Sequence, residues 1–303
     1  VMRSLSVQRQ LLLGSESLRA MYTVNSHDEI PVMLRPNCYH SLSFAALQNI
    51  MERFLKTALA AADAAAAETM HYYRGNFEVE LKEDQTPVTV ADRRAEDIIR
   101  GMLLDAYPDH GFYGEESGRK QADADYLWLV DPIDGTKSFV GGYGMWSTQI
   151  ALMHRGELVL GVSSAPALGE MAWAVRGIGA QLNGAPIRIS DRTALEQAAV
   201  STGNLQTMAR SPQWNRLGEI LARVNRTRGY GDYYHYHRLA AGQIDAVIES
   251  DVNILDIAAL VVIVREAGGV FSDLEGRAPA LDTTSVLAAT PALHGELLEM
   301  LNS

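Results

Sequence analysis

The chain has 303 residues, 47% of them hydrophobic, with 26 basic against 37 acidic side chains and a net charge of −11. That length fits one large domain or two moderate ones sharing a core. The acidic balance argues against a protein that wraps nucleic acid or coats an anionic membrane, but not against a small phosphorylated substrate, because bound metal ions reverse the local field.

Residues 1–42 read as a poorly ordered extension. Leu11-Leu12-Leu13 is too short for a signal-peptide core, and Glu16, Asp28 and Glu29 suit a transit peptide poorly. A targeting segment or dimer arm is the alternative. Cys38 is the only cysteine, so no intrachain disulfide forms, which fits a reducing cytoplasm. No apolar run reaches the ~18 residues of a membrane-spanning helix.

Ser43 is placed to cap a helix from about Phe44 to Tyr73, rich in alanine and ended by Gly75. Phe77 to Glu80 alternates like a short strand. Pro87 breaks the following segment, and Asp92 reads as the N-cap of a helix from Arg93 to about Ala106. Pro108 to Gly118 reads as a loop. Tyr126 to Val130 reads as a buried strand, and further strands fall at Thr148–Met153, Glu157–Val162, Met171–Val175, Ala180–Leu182 and Ile187–Ile189. The last pair is joined by an Asn183-Gly184 turn. The texture changes near Ser190, dividing the folded part into 43–190 and 191–303. In the second part, strands at Ala199–Ser201, Ala246–Glu249 and Val286–Ala289 alternate with helices at Gln213–Val224, Tyr233–Ala241, Asp256–Ala267 and from Ala292 onward.

The densest chemistry lies at Asp131-Pro132-Ile133-Asp134-Gly135-Thr136. Two carboxylates at a strand end, across a proline turn, repel each other unless a cation sits between them. Carboxylate oxygens suit a hard cation such as Mg²⁺. Gly135 and Thr136 open the next segment with backbone N–H groups that suit a phosphate. Together these are the parts of metal-assisted phosphate-ester hydrolysis. Asp92, Glu115, Glu116 and Asp256 stand at other element ends; singly, Asp92 and Asp256 also read as helix caps, and the glutamates as a solvated pair.

Gly-Glu-Glu-Ser at 114–117, Asp-Pro-Ile-Asp-Gly-Thr at 131–136, and Asp256-Ile257-Ala258-Ala259 before Glu266-Ala267-Gly268-Gly269 resemble the inositol monophosphatase superfamily. The likeness runs from about residue 44 to 300. It implies a layered α/β/α/β/α sandwich, a lithium-sensitive, Mg²⁺-dependent phosphatase and a homodimer. By resemblance, Glu115, Asp131 and the carbonyl of Ile133 would hold one Mg²⁺. Asp131, Asp134 and Asp256 would hold a second, with Asp92 near a further metal or its waters. Gly135 and Thr136 would bind the phosphate. A water on the metal, oriented by Glu115 and by Thr136 with Asp92, would attack phosphorus in line. Leu255 departs from the family's usual Trp, a change in packing but not in ligands. Lys82 lies in a segment similar to the family's mobile active-site loop.

Within the superfamily, residues 131–139 followed by Trp146, with Gly231-Asp232-Tyr233 and Leu239 to Gly242, are most similar to the histidinol-phosphate phosphatase branch. Asp232 and Glu249, with Asp251 nearby, are candidates to read the substrate's ammonium; Asp232 as a plain helix cap is the alternative. An inositol, sugar or nucleotide phosphate would use the same metal core. A non-catalytic member kept as a binding subunit is the reading from another class, and the complete carboxylate set argues against it. His235 and His237, two apart on a helix, face different ways and do not share a metal. The tyrosines at 230, 233, 234 and 236 read as packing.

Overall fold

A computed structural model of the chain describes residues 44–75, 79–81 and 87–303. The expectations for residues 1–42, Ser43, Phe77, Glu78 and Lys82 concern residues outside these.

Helix α1 (Phe44–Tyr72) is followed by a small hairpin, β1 (Val79–Leu81) and β2 (Pro87–Thr89), and helix α2 (Val90–Ala106). An eight-stranded sheet then forms from β3 (Gly111–Gly114), β4 (Gly118–Lys120), β5 (Tyr126–Asp134), β6 (Ser147–His154), β7 (Glu157–Ala165), β8 (Glu170–Val175), β9 (Gly179–Leu182) and β10 (Ala185–Ile187). Its strand order is β10-β9-β8-β7-β6-β5-β3-β4. The short helix α3 (Thr136–Val140) leaves the end of β5.

A five-stranded sheet takes β11 (Ala199–Gly203), β12 (Arg226–Arg228), β13 (Ala246–Ser250), β14 (Val270–Ser272) and β15 (Ser285–Ala289), in the order β12-β11-β13-β15-β14. It is parallel at β12-β11-β13 and antiparallel beyond. Helices α4 (Leu205–Met208), α5 (Trp214–Arg223), α6 (Asp232–Ala240), α7 (Ile254–Glu266) and α8 (Pro291–Asn302) complete the described chain.

The layers follow from the apolar pattern. β5 begins as a continuous apolar run because both its faces are covered. Trp128 and Val130 pack against α1 and α2, while Leu127 and Leu129 face α7. The alanine face of α1, from Ala58 to Ala65, lies fully buried against the same cluster, so it is spent inside the chain. Helix α7 is apolar on nearly every side because it is the middle layer between two sheets. It approaches β7 so closely that a Cβ on Gly161 would stand 2.3 Å from the Ala259 carbonyl oxygen. Helices α5 and α8 cover the outer face of the second sheet. The result is an α/β/α/β/α sandwich, as the resemblance implies.

Several local expectations are corrected. The loop expected over Pro108–Gly118 is a hairpin, β3 and β4, with Glu115 to Ser117 at its turn. Short glycine-rich strands carry little period-2 signal, and pairing with β5 holds them. Strands β12 and β14 and helices α3 and α4 are further elements that the apolar pattern does not announce. Helix α2 starts at Val90 with Thr89 as its cap, and α7 starts at Ile254 with Asn253 as its cap, so neither Asp92 nor Asp256 is an N-cap. No helix among the described residues is long and apolar enough to cross a membrane.

Candidate active site

Four element ends converge. Asp131 and Asp134 close β5, where the ladder to β6 shifts register and Pro132 and Ile133 bulge between them. Asp256 arrives from the first turn of α7. One oxygen from each of these three carboxylates lies within 4.8 Å of the others. Glu115, on the β3–β4 turn, adds its charge beside Asp131.

Each acid is held by its own backbone. Asp92 and Asp256 both occupy the third position of a capping box. Asp92 Oδ2 accepts from the Thr89 N–H at 2.7 Å and the Thr89 hydroxyl at 2.6 Å. Asp256 accepts from the Asn253 N–H at 2.9 Å and its side-chain amide at 2.6 Å. The Ile133 N–H donates to Asp131 Oδ1 at 2.9 Å, and Ser147 Oγ donates to Asp134 Oδ2 at 3.3 Å. The Thr136 hydroxyl stands between the Ile133 carbonyl, 3.0 Å away, and Asp92 Oδ1, 3.4 Å away.

Burial and mutual repulsion raise these acids. Asp131 and Asp134 are pushed well above the ordinary carboxylate range, first by burial, then Asp131 by the charges of Glu115, Asp134 and Asp256, and Asp134 by those of Asp232, Asp256 and Glu249. Asp256 rises to about 7, again chiefly through burial. Asp92 rises for the same first cause.

Asp134, Asp232, Glu249 and Asp256 line one cavity with Asn204 and Val252. Asp232 is raised to about 6 by burial and by the Glu249 charge. It opens α6 in the left-handed region, φ 47°, after Gly231, and no side-chain cap bond is made there. The helix-cap alternative for Asp232 is therefore not what the structure contains. Gly135, φ 84°, sits so close that its missing Cβ would lie 2.8 Å from the Met145 carbonyl oxygen and 3.5 Å from Asp232 Cγ. Glu249 is buried, and its Oε2 accepts from Tyr236 Oη at 2.7 Å and from His235 Nε2 at 3.0 Å. Asp251 stands apart, exposed, bonded to Thr207.

His235 turns to Glu249 and Ser201, whereas His237 turns to Glu170 and Ser163, so the two do not meet. Tyr233 and Tyr236 are core residues, and so is Trp146, packed on Phe139 and Ile133. Leu255, the departure from the resemblance, is buried.

Sequence reasoning missed Glu96. Buried one helical turn after Asp92, it accepts the N–H groups of Glu116 at 2.7 Å and Ser117 at 2.8 Å, and so anchors the turn that bears Glu115. Its i,i+4 spacing from Asp92 was the available signal. Thr89 and Asn253 were equally visible as capping-box partners three residues before an acid.

The sequence pattern of the inositol monophosphatase family matches residues 50–303. The chain belongs to this family. It is similar to the histidinol-phosphatase of Streptomyces coelicolor, 39% identical over 258 residues that cover 82% of this chain and 96% of that one. It is also similar to the inositol-1-monophosphatase of Mesorhizobium japonicum, 36% identical over 229 residues covering 74% and 86%. Among solved structures, the extragenic suppressor protein suhB of Bartonella henselae superposes with a TM-score of 0.76 at 31% identity, covering 83% of this chain and 99% of that one. With this family comes a reaction class: the chain is a phosphoric monoester hydrolase.

Proposed function

We propose that this family member is a Mg²⁺-dependent phosphatase that hydrolyses L-histidinol phosphate to L-histidinol and phosphate. The observation that carries the reading is one cavity lined by Asp134 and Asp256, two of the three clustered aspartates, together with Asp232 and Glu249.

The donor set fits the ion. It is all oxygen, it is largely buried, and among the described residues no Lys or Arg forms an ion pair with Asp131, Asp134 or Asp256. Such a cluster suits a hard divalent cation. Asp131, Asp134 and Asp256, with Glu115 and the Ile133 carbonyl, would hold two or three ions. When bound, they would supply Lewis acidity and neutralise charge on the phosphate oxygens.

The protein's own groups do the rest. The Thr136 proton is drawn toward Asp92 and Ile133, so its lone pairs face outward to accept from a water. Glu115 accepts that water's other proton, and the two together aim its oxygen at phosphorus in line with the leaving alcohol. The N–H groups of Gly135 and Thr136, at the start of α3, have no acceptor within that helix and receive the phosphate. Asp232 and Glu249 receive the ammonium of the leaving group, which would keep Asp232 ionised. Residues 43–190 thus carry the metal-bearing turn, and residues 191–303 complete the site. A homodimer in the cytoplasm belongs to the same proposal, and light scattering at twice the chain mass tests the first half.

The similarity to a histidinol-phosphatase supports the substrate, while the similarity to an inositol-1-monophosphatase names the competitor. The experiment is phosphate release with Mg²⁺, comparing kcat/KM for L-histidinol phosphate and inositol 1-phosphate. A preference of about a hundredfold, on the order of 3 kcal/mol in transition-state binding, is expected for the former. Equal or reversed preference removes the substrate assignment. No release from either overturns both.

A further inference from the structure

A line of buried polar side chains leads away from Asp134 through the middle of the molecule. Ser147 Oγ donates to Asp134 Oδ2 at 3.3 Å. Gln149 Nε2 lies 2.7 Å from Ser147 Oγ and 3.1 Å from Ser163 Oγ. Ser163 Oγ lies 2.9 Å from His237 Nε2, and His237 Nδ1 lies 3.0 Å from Glu170 Oε2. Arg238 closes the far end, donating to both Glu170 oxygens at 2.6 Å. Ser147, Gln149, Ser163 and His237 have no solvent exposure at all.

The proton positions follow one from another. Glu170, bonded to His237 and clamped by Arg238, is held below the usual carboxylate range and is an anion. It therefore takes the proton on His237 Nδ1. Burial keeps the ring neutral, so Nε2 is bare and accepts the Ser163 proton. Ser163 then has only lone pairs to offer Gln149, which must present its NH₂ and not its carbonyl. The second N–H of that amide meets Ser147, whose single proton is left for Asp134. The cost is visible: Gln149 Oε1 is buried with no partner.

Further along β6, on the same face as Ser147 and Gln149, stand Ala151 and Met153. Apolar residues fill this layer elsewhere, and packing alone would favour them here.

We propose that His237 is a positioning residue for Asp134: across Ser163, Gln149 and Ser147 it decides which way the Ser147 hydroxyl points. Without a bare nitrogen at His237, the Ser163 proton is released to the Gln149 carbonyl. The amide turns over, and the Ser147 proton turns with it, away from Asp134. The inference rests on Asp134 being a metal ligand.

The test is Mn²⁺ binding to the full chain by calorimetry, with circular dichroism as the check on folding. His237→Phe should weaken Mn²⁺ about tenfold, the size expected when a ligand loses its supporting hydrogen bond. His237→Gln, which returns an acceptor toward Ser163, should recover most of that loss. Ser147→Ala should weaken binding as much as His237→Phe does, and the double variant no more than either alone. Unchanged binding in His237→Phe, or losses that multiply in the double variant, would overturn the proposal. If His237→Phe does not fold, Ser163→Ala breaks the same link with a smaller change and should show the same tenfold loss; unchanged binding there also overturns it. Asp134→Asn separates the two levels. Wild-type affinity in that variant refutes the metal-ligand assignment, and the relay falls with it. Lost affinity there with unchanged binding in His237→Phe refutes the relay alone.

Discussion

Replacing Asp256 by Asn should stabilise the metal-free protein at pH 8 while abolishing turnover. Asp256 has an ordinary pKa of 3.8 and is raised to about 7 in the fold. Each unit is worth about 1.4 kcal/mol, so ionised Asp256 costs the metal-free fold at most on the order of 4 kcal/mol above pH 7. Partial exposure reduces this, as does the weaker capping of the Asn253 N–H by a neutral amide, to about 2 kcal/mol net. For a fold of this size that is about 5 °C in Tm. The sign follows from proton counting. The folded state binds the proton more tightly than the unfolded state, so the cost is full above about 7. It shrinks as pH falls toward 3.8 and is gone below that. The advantage of Asp256→Asn in chelator should therefore be largest at pH 8 and should fall by roughly 60% or more by pH 5. The assay is thermal unfolding with and without Mg²⁺, which should reverse the order of the two proteins by binding the wild type more tightly than the variant. A variant less stable than wild type at pH 8 in chelator, with no convergence in acid, would refute the buried-charge argument.

Asp232→Asn should lower kcat/KM for L-histidinol phosphate by about a hundredfold and leave inositol 1-phosphate within a factor of about three; equal losses on both would return Asp232 to a general role. Glu96→Ala leaves the N–H groups of Glu116 and Ser117 without their carboxylate and should cost about 2–3 kcal/mol in urea unfolding, with kcat falling as the Glu115 turn loosens. Gly161→Ala sets a methyl against the Ala259 backbone and should cost about 3 kcal/mol, read as a drop in Tm; a neutral effect would mean that α7 can back away from β7.

Much of the architecture was legible because burial writes itself into composition. The two-faced strand at Tyr126 and the apolar helix after Asp256 could only be inner layers, and the structure makes them so. The pair Asp131 and Asp134 was legible for an electrostatic reason, since no plain turn gains from adjacent carboxylates. What stayed hidden depends on groups distant in sequence. The hairpin at Glu115 is held by pairing with β5 and by Glu96, and neither shows in the local pattern. The helix starts were misplaced because an acid at the third position of a capping box looks, in sequence, like the cap itself. Glu249 was a candidate from sequence, but its partners His235 and Tyr236 come from another element and were not legible as such. Ser147, Gln149 and Ser163 are ordinary strand residues until β6 and β7 are paired.

Helix α6 faces two ways at once. His235 and Tyr236 hold Glu249 in the pocket, and His237, on the next stretch of the same helix, holds Ser163 and Glu170. For a lineage under selection to accept a different ester, this helix is a poor place to vary. Changes on it would alter pocket and catalytic core together, and most would be lost before a new preference could be tried. Two pocket positions off the helix, Asn204 and Val252, make none of these hydrogen bonds. Divergence between alcohols is expected to accumulate there first, with the helix face inherited nearly unchanged.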